Sequence, residues 1–202
     1  GGVYQANTTA GFSIVDYVGT GSTGTVSHGL GAVPSWILFK NRDTAQTWVV
    51  YHHQNTSAPE TDILQLEAQN ATYDGNTYFN DTAPTSSVFS LGTSNDLNKD
   101  DDNIIAYVWT EIQGFSKFGT YFGNGSSDGT HVYTGFSPAW IMIKRTDSST
   151  NGNWFIIDNK RTVTNPRLGH LRANQNNAEN TSTNQSIDFL SNGFKLRDSN
   201  TS

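Results

Sequence analysis

The chain has no cysteine, a single methionine and no long apolar run. Without cysteine there is no disulfide framework and no thiol chemistry, and the redox compartment stays open. No apolar stretch approaches the ~20 residues a helix needs to cross a bilayer, and the N-terminus has no charged flank leading into an apolar segment. Charge is sparse: 12 Lys and Arg stand against 18 Asp and Glu. The basic residues are adjacent only at Lys144-Arg145 and Lys160-Arg161, so the sequence builds no cationic groove for nucleic acid. Glutamate occurs at four scattered positions, Glu60, Glu67, Glu111 and Glu179, which argues against the paired carboxylates of glycoside hydrolysis. A Gly-x-Ser-x-Gly elbow, a phosphate loop and a His-Glu-x-x-His segment are all missing. Catalysis is not expected, and no cofactor is implied.

What the chain has instead is turn formers and a repeat. Asn, Ser and Thr make up about a third of it, with 19 glycines, a composition that favours short strands joined by tight turns. Nearly the same text occurs twice. Gly11-Phe12-Ser13, Tyr17, Gly19-Thr20-Gly21-Ser22, Pro34, Trp36, Lys40, Asp43 and Trp48 recur as Gly114-Phe115-Ser116, Tyr121, Gly123-Asn124-Gly125-Ser126, Pro138, Trp140, Lys144, Asp147 and Trp154. From Tyr17/Tyr121 through Asp43/Asp147 the spacing holds at 104 positions. A period kept across divergent segments means two copies of one folding unit. The expected fold is all-β, two tandem β-sandwich units of about 100 residues each, with residues 1–10 as a lead-in, 11–113 as the first unit and 114–202 as the second.

Strands are expected at 12–18, 25–28, 36–39, 48–51, 88–91 and 104–112, and in the second copy at 140–144, 154–157 and 193–196. The run 36–39 does not alternate, which predicts cover on both faces. Residues 63–66 read as a helical turn or an edge strand. Phe89 matches Phe194, and Ser94-Asn95 matches Ser199-Asn200. The first copy then continues with the long apolar strand at 104–112, whereas the second reaches Ser202 without one. The second unit is therefore expected to lack its last strand and to expose an edge or an apolar groove. Continuation of the native chain past Ser202 is the favoured completion, ahead of a strand donated by a neighbouring subunit or a different closure of the second unit. The start at Gly-Gly suggests a fragment or a processed product.

In combination, Gly114-Phe115-Ser116-Lys117-Phe118-Gly119, the segment 140–147, the segment 80–92 and Phe189-Leu190-Ser191-Asn192-Gly193-Phe194-Lys195-Leu196-Arg197 resemble a repeat domain of bacteriophage proteins. That domain is common in phages of marine bacteria and cyanobacteria, often toward the C-terminal side of tail-fibre or tail-associated virion proteins. The resemblance covers nearly the whole chain. It implies an all-β fold, an extracellular location on the virion surface and no catalytic residues. In that family a further strand usually follows the motif at 189–197, so this chain departs from the pattern.

Residues kept in both copies are expected to be scaffold. Trp36/Trp140 and Trp48/Trp154 read as core, and Lys40/Lys144 with Asp43/Asp147 as a solvated strand end with a turn. His52-His53 suggests a metal, but neighbours on a strand point to opposite faces, so no metal site is expected. The acidic run 98–103 lacks the spacing of a calcium loop and reads as a solvated turn. Recognition is expected in the divergent loops, 53–76 and 160–186, carried on a rigid scaffold. The aromatic and cationic residues in or just after them are Tyr73, Tyr78, Phe79, Arg161, Arg167, His170 and Arg172, with Tyr73, Tyr78, Arg161, Arg167, His170 and Arg172 as candidate ligand-binding residues. The expected partners are a host-surface glycan or receptor and other copies of the chain, with no nucleic acid and no membrane insertion. The competing expectation is a structural spacer, decoration or strand-sharing filament subunit with no ligand of its own.

Overall fold

In the computed structural model, which describes residues 2–199, the chain is all-β and divides into two compact units. The first comprises Gly1–Leu66 and Thr72–Ile112, the second Glu67–Ala71 and Gln113–Ser202.

Unit 1 is built on strands β1 (Val3–Asn7), β2 (Phe12–Val18), β3 (Gly24–Ser27), β4 (Trp36–Asn41), β5 (Val49–His52), β6 (Asp62–Gln65), β7 (Tyr73–Asp74), β8 (Val88–Leu91) and β9 (Asn103–Trp109). A 3-10 turn, Pro59–Thr61, precedes β6, and two single-turn helices, α1 (Asn76–Phe79) and α2 (Asn95–Asn98), flank β8. Seven strands form one antiparallel sheet in the order β1-β2-β9-β4-β5-β6-β7, and β3 and β8 form a separate ribbon. The last long strand in sequence is thus a middle strand in space. β9 pairs with β2 from Phe12↔Trp109 to Val18↔Asn103, and with β4 from Trp36↔Trp109 to Asn41↔Ile104.

Alternation selects which side chains enter the core. Ser13, Val15 and Tyr17 of β2 and Ile104, Ala106 and Val108 of β9 are buried, while the residues between them are not. The ribbon contributes Val26, Phe89 and Leu91, and the two short helices add Phe79 and Leu97, so one core draws on both sheets. At its centre Phe39, fully buried, meets Phe89 edge-on at 5.3 Å and Phe79 at 5.8 Å. Cover on both faces holds chiefly for β5: Val49 and Tyr51 face the core, while Val50 is buried beside its cross-strand neighbour Leu64. On β4, Leu38 and Lys40 are only half-buried.

The expected lead-in contains a strand. Val3–Asn7 is an edge strand in ladder with β2. Four of its five residues are exposed, so its hydrogen bonds hold it in place without the apolar alternation that would reveal it. The ambiguous segment at 63–66 is the strand β6.

Unit 2 contains β10 (His131–Tyr133), β11 (Trp140–Lys144), β12 (Trp154–Asp158), β13 (His170–Arg172), β14 (Ile187–Leu190) and β15 (Gly193–Leu196). They form two antiparallel three-stranded sheets, β10-β15-β14 and β11-β12-β13. The buried cluster is Ile141, Ile157, Ile187, Phe189 and Phe194, five residues against sixteen in unit 1. The counterpart of β2, residues 115–121, forms no strand, and among the described residues none follows β15. Asn200, the expected match to Asn95, lies outside the described residues.

Candidate functional site

The divergent loop of unit 1 is ordered by β6, β7 and α1, and it presents an aromatic pair. Tyr73 on β7 and Tyr78 on α1 lie edge to face, with ring centroids 6.3 Å apart and planes at 81°. Gly75 sits between them: a Cβ there would fall 2.7 Å from the Tyr78 ring and 2.9 Å from that of Tyr73. Tyr78 is held from behind, its hydroxyl donating to Asp96 Oδ2 at 3.0 Å. Burial, then the charge of Asp96, pushes the phenol up to about 12. Tyr73 is 57 % exposed, with Asp74, Asn76 and Thr77 exposed beside it. A fixed ring beside a free one, rimmed by short polar groups, suits the apolar face and the hydroxyls of a sugar. Phe79, the next aromatic, is core. Sequence reasoning found both tyrosines but missed Asp74, Gly75 and Asn76. The Asp-Gly-Asn turn between two tyrosines was the available signal.

In unit 2 the named cations are drawn into the structure. Arg161 bridges Asp158 (2.8 Å) and Glu179 (3.3 Å). Arg167 donates to the Thr162 carbonyl and lies over the Phe189 ring at 5.2 Å. Arg172 donates to Gln175 Oε1 at 2.8 Å and covers the Phe155 ring at 5.5 Å. His170 meets the same ring edge-on at 5.3 Å, is completely buried, and shares a two-way backbone bridge with Asn180. Burial holds its pKa below the ordinary range. Against the expectation that His170 meets a ligand, its ring is completely buried against Phe155. Arg161, Arg167 and Arg172 are likewise occupied in pinning the 158–180 loop, whose composition looks like a binding loop but whose side chains bond one another.

The repeated residues divide. Trp36 and Trp154 are buried at 7 % and 2 %, but Trp140 is 54 % exposed and leaves the expected core. Asp43 does more than turn the chain: its carboxylate accepts from Asn103 N at 2.6 Å and Nδ2 at 2.8 Å, fastening β4 to the start of β9. Those bonds hold its pKa below the carboxylate range. The acidic run is only partly solvated. Asp102 is buried and accepts from Asn41 Nδ2 (2.8 Å), Thr44 Oγ1 (2.7 Å) and Lys99 Nζ (3.1 Å). Asn98 holds the Gly19–Ser22 turn by accepting from Thr20 N and donating to the Ser22 carbonyl. Asp147 pairs with Arg145 at 2.6 Å.

The His52 and His53 rings are 5.5 Å apart, with His53 Nε2 3.8 Å from Glu111. Among the described residues no three His, Asp or Glu converge as a metal shell would require. Burial, then the nearby His53, lowers the His52 pKa to about 4. Because the folded value lies below the unfolded one, the native state loses stability as pH falls from about 6.5 to about 4. The expected loss from His52 is about 2 kcal/mol. The His52 ring stands edge-on to Trp36 at 5.7 Å; urea titrations at pH 7 and pH 4.5 should show the loss, and His52→Phe, which retains a ring there, should shrink the difference. An unchanged difference in that variant would exclude His52 as the source.

No curated protein and no solved structure matches this chain. Over residues 2–202 it matches a family described as a domain of unknown function, DUF7483. With the match running through both copies of the repeat, the chain belongs to the DUF7483 family.

Proposed function

We propose that this chain is a non-enzymatic module of the bacteriophage virion surface, a tail-fibre or adhesin domain that binds a host-surface glycan through the Tyr73–Tyr78 pair. The observation that carries the reading is the exposed Tyr73 ring, set against a buttressed Tyr78 and surrounded by short polar side chains. Exposed aromatics on an ordered loop contribute contact area at little cost in conformational entropy. The phage assignment rests on the resemblance of the repeated motifs. A purely structural, strand-sharing role is the second reading, favoured by the edge strand of unit 2.

The test is a glycan array followed by NMR titration of the full chain with the best-bound sugar. Tyr73→Ala should weaken binding about tenfold or more, equivalent to about 1.4 kcal/mol, while stability stays within about 0.5 kcal/mol because the ring is exposed. Undiminished binding in that variant, or chemical-shift changes confined to other residues, would remove the site. Absence of any glycan ligand would leave the structural role as the better reading.

A further inference from the structure

The seven-stranded sheet of unit 1 has a second face. The alternation that sends Val15 and Tyr17 of β2 and Ala106 and Val108 of β9 into the core turns Phe12, Ile14, Tyr107 and Trp109 the other way. The register sets them side by side. Phe12 lies opposite Trp109 and Ile14 opposite Tyr107, while β1 places Asn7 beside Phe12 and Gln5 beside Ile14. Three of these side chains form an aromatic cluster. The Phe12 ring is 4.8 Å from that of Trp109 and 6.5 Å from that of Tyr107, and Tyr107 and Trp109 are 6.3 Å apart. No two of the three planes differ by more than 36°. The rings are half-buried, and Ile14 beside them is 39 % exposed.

An open cleft of about 570 Å³ adjoins this cluster, lined by Gln5, Ala6, Asn7, Thr8, Phe12 and Ile14. Its volume falls in the range of small-molecule sites. Its walls join apolar side chains to two amides and a hydroxyl, with no charged group. Among the described residues, the Gln5 amide, Asn7 Nδ2, the Tyr107 hydroxyl and the Trp109 indole N–H have no hydrogen-bond partner in the protein. None of them is sealed from water. Asn7 is nonetheless held in place, since its Oδ1 accepts from Ala10 N at 3.0 Å. Asp16, the next residue after Ile14 on this face, is paired with Arg42 at 3.2 Å. Rings of like orientation beside unspent neutral donors suit a ligand that offers an apolar plane and uncharged hydroxyls.

We propose that this face of unit 1 is a second carbohydrate site, and that it takes an uncharged oligosaccharide of hexopyranoses with equatorial hydroxyls. Such a ring shows a flat C–H face, which packs on Phe12, Tyr107 and Trp109. Its hydroxyls, each a donor and an acceptor, pair with the amides of Gln5 and Asn7 and with the free phenol and indole groups. The uncharged lining gives a carboxylated or sulfated sugar no cation to meet, and burying an unpaired charge there is costly. The site is built from β1, β2 and β9, none of which carries Tyr73 or Tyr78. It rests on the glycan reading for the class of ligand and not for the residues that bind it.

The probe is cellohexaose, titrated into the isotopically labelled full chain. Saturable binding is expected, with NMR shifts at the Trp109 indole N–H, the side-chain amides of Gln5 and Asn7 and the backbone amides of residues 5–8. Tyr107→Ala should weaken binding about tenfold. Gln5→Ala should weaken it about threefold. The Gln5 side chain is exposed and takes no part in the ladder, so hydrogen exchange of the β1 and β2 amides should not change in that variant, and a folding defect cannot mimic the loss. The titration also separates the two sites. Shifts at Trp109 and Gln5 that persist in Tyr73→Ala support this one, whereas shifts confined to Tyr73 and Tyr78 overturn it and leave the earlier site in place. It is overturned as well by no binding at millimolar cellohexaose, by undiminished binding in both Tyr107→Ala and Gln5→Ala, or by self-association of the chain that covers the Trp109 indole.

Discussion

Phe39→Ala is expected to lower the stability of unit 1 by about 3–5 kcal/mol, while Ile143→Ala at the equivalent place in unit 2 costs about 1–2 kcal/mol. Phe39 has no exposed surface and is enclosed by Phe79, Phe89 and the β9 backbone opposite it. Removing its ring leaves a cavity that paired strands on either side cannot collapse to fill. Ile143 borders a cavity already and is only half-buried, so truncation there removes fewer contacts. Two units need not unfold together, and one transition midpoint is a poor readout. Hydrogen exchange resolved at β4 and β11 amides separates them. Equal costs in the two units would contradict the asymmetry between their cores.

The second large effect is expected at a glycine. Gly19→Ala should cost about 3 kcal/mol or more, and Gly123→Ala should stay within about 0.5 kcal/mol. A Cβ on Gly19 would lie 2.1 Å from the Lys99 carbonyl oxygen and 2.8 Å from the Asn98 carbonyl carbon. Both are backbone atoms and cannot swing aside. The same turn is bonded through Gly19 N to Asp102 O (2.9 Å) and Gly21 N to Asn98 O (2.8 Å), so displacing it disturbs the entry to β9 as well. Around Gly123 there is open space. Hydrogen exchange, read at β9 amides for the first variant and at β11 amides for the second, makes the comparison. A destabilising Gly123→Ala would mean that the second turn is packed as tightly as the first.

Strands whose residues alternate against a buried face were legible from sequence: Phe12–Val18 and Asn103–Trp109 carry the pattern and appear as β2 and β9; Val88–Leu91, legible by its match to the second copy, is β8 with three consecutive residues buried. β1, β7, β10 and β13 were not legible. Each is short and largely exposed or half-buried, so ladder bonds to a neighbour define it more than its side chains do. β14 escaped because the text it matches in the first copy, around Thr82 to Thr85, is not a strand. The helical turns escaped for another reason, since four residues are too few for helical periodicity to show.

At the candidate site the tyrosines were legible as aromatics in a divergent loop, but their pairing depends on Gly75 and on Asp96, from outside that loop, bonding Tyr78. The arginines and His170 misled because composition does not distinguish a cation facing solvent from one stacked on Phe155 or Phe189. Long cationic side chains bury their stems readily, and only the neighbour reveals which case applies.

The sequence alone determined the all-β class, the doubling and the placement of the principal strands, because alternation and turn residues act within a few positions of the chain. It also marked the apolar run at 104–112 as a long strand. Tertiary structure decided what that strand does. Trp36 and Trp140 stand in the same motif, yet one is buried and the other is mostly exposed. Local sequence sets which way a strand side chain points. Whether it is covered depends on the strand that hydrogen-bonds alongside, and for Trp36 that strand is β9, about seventy residues away in the chain.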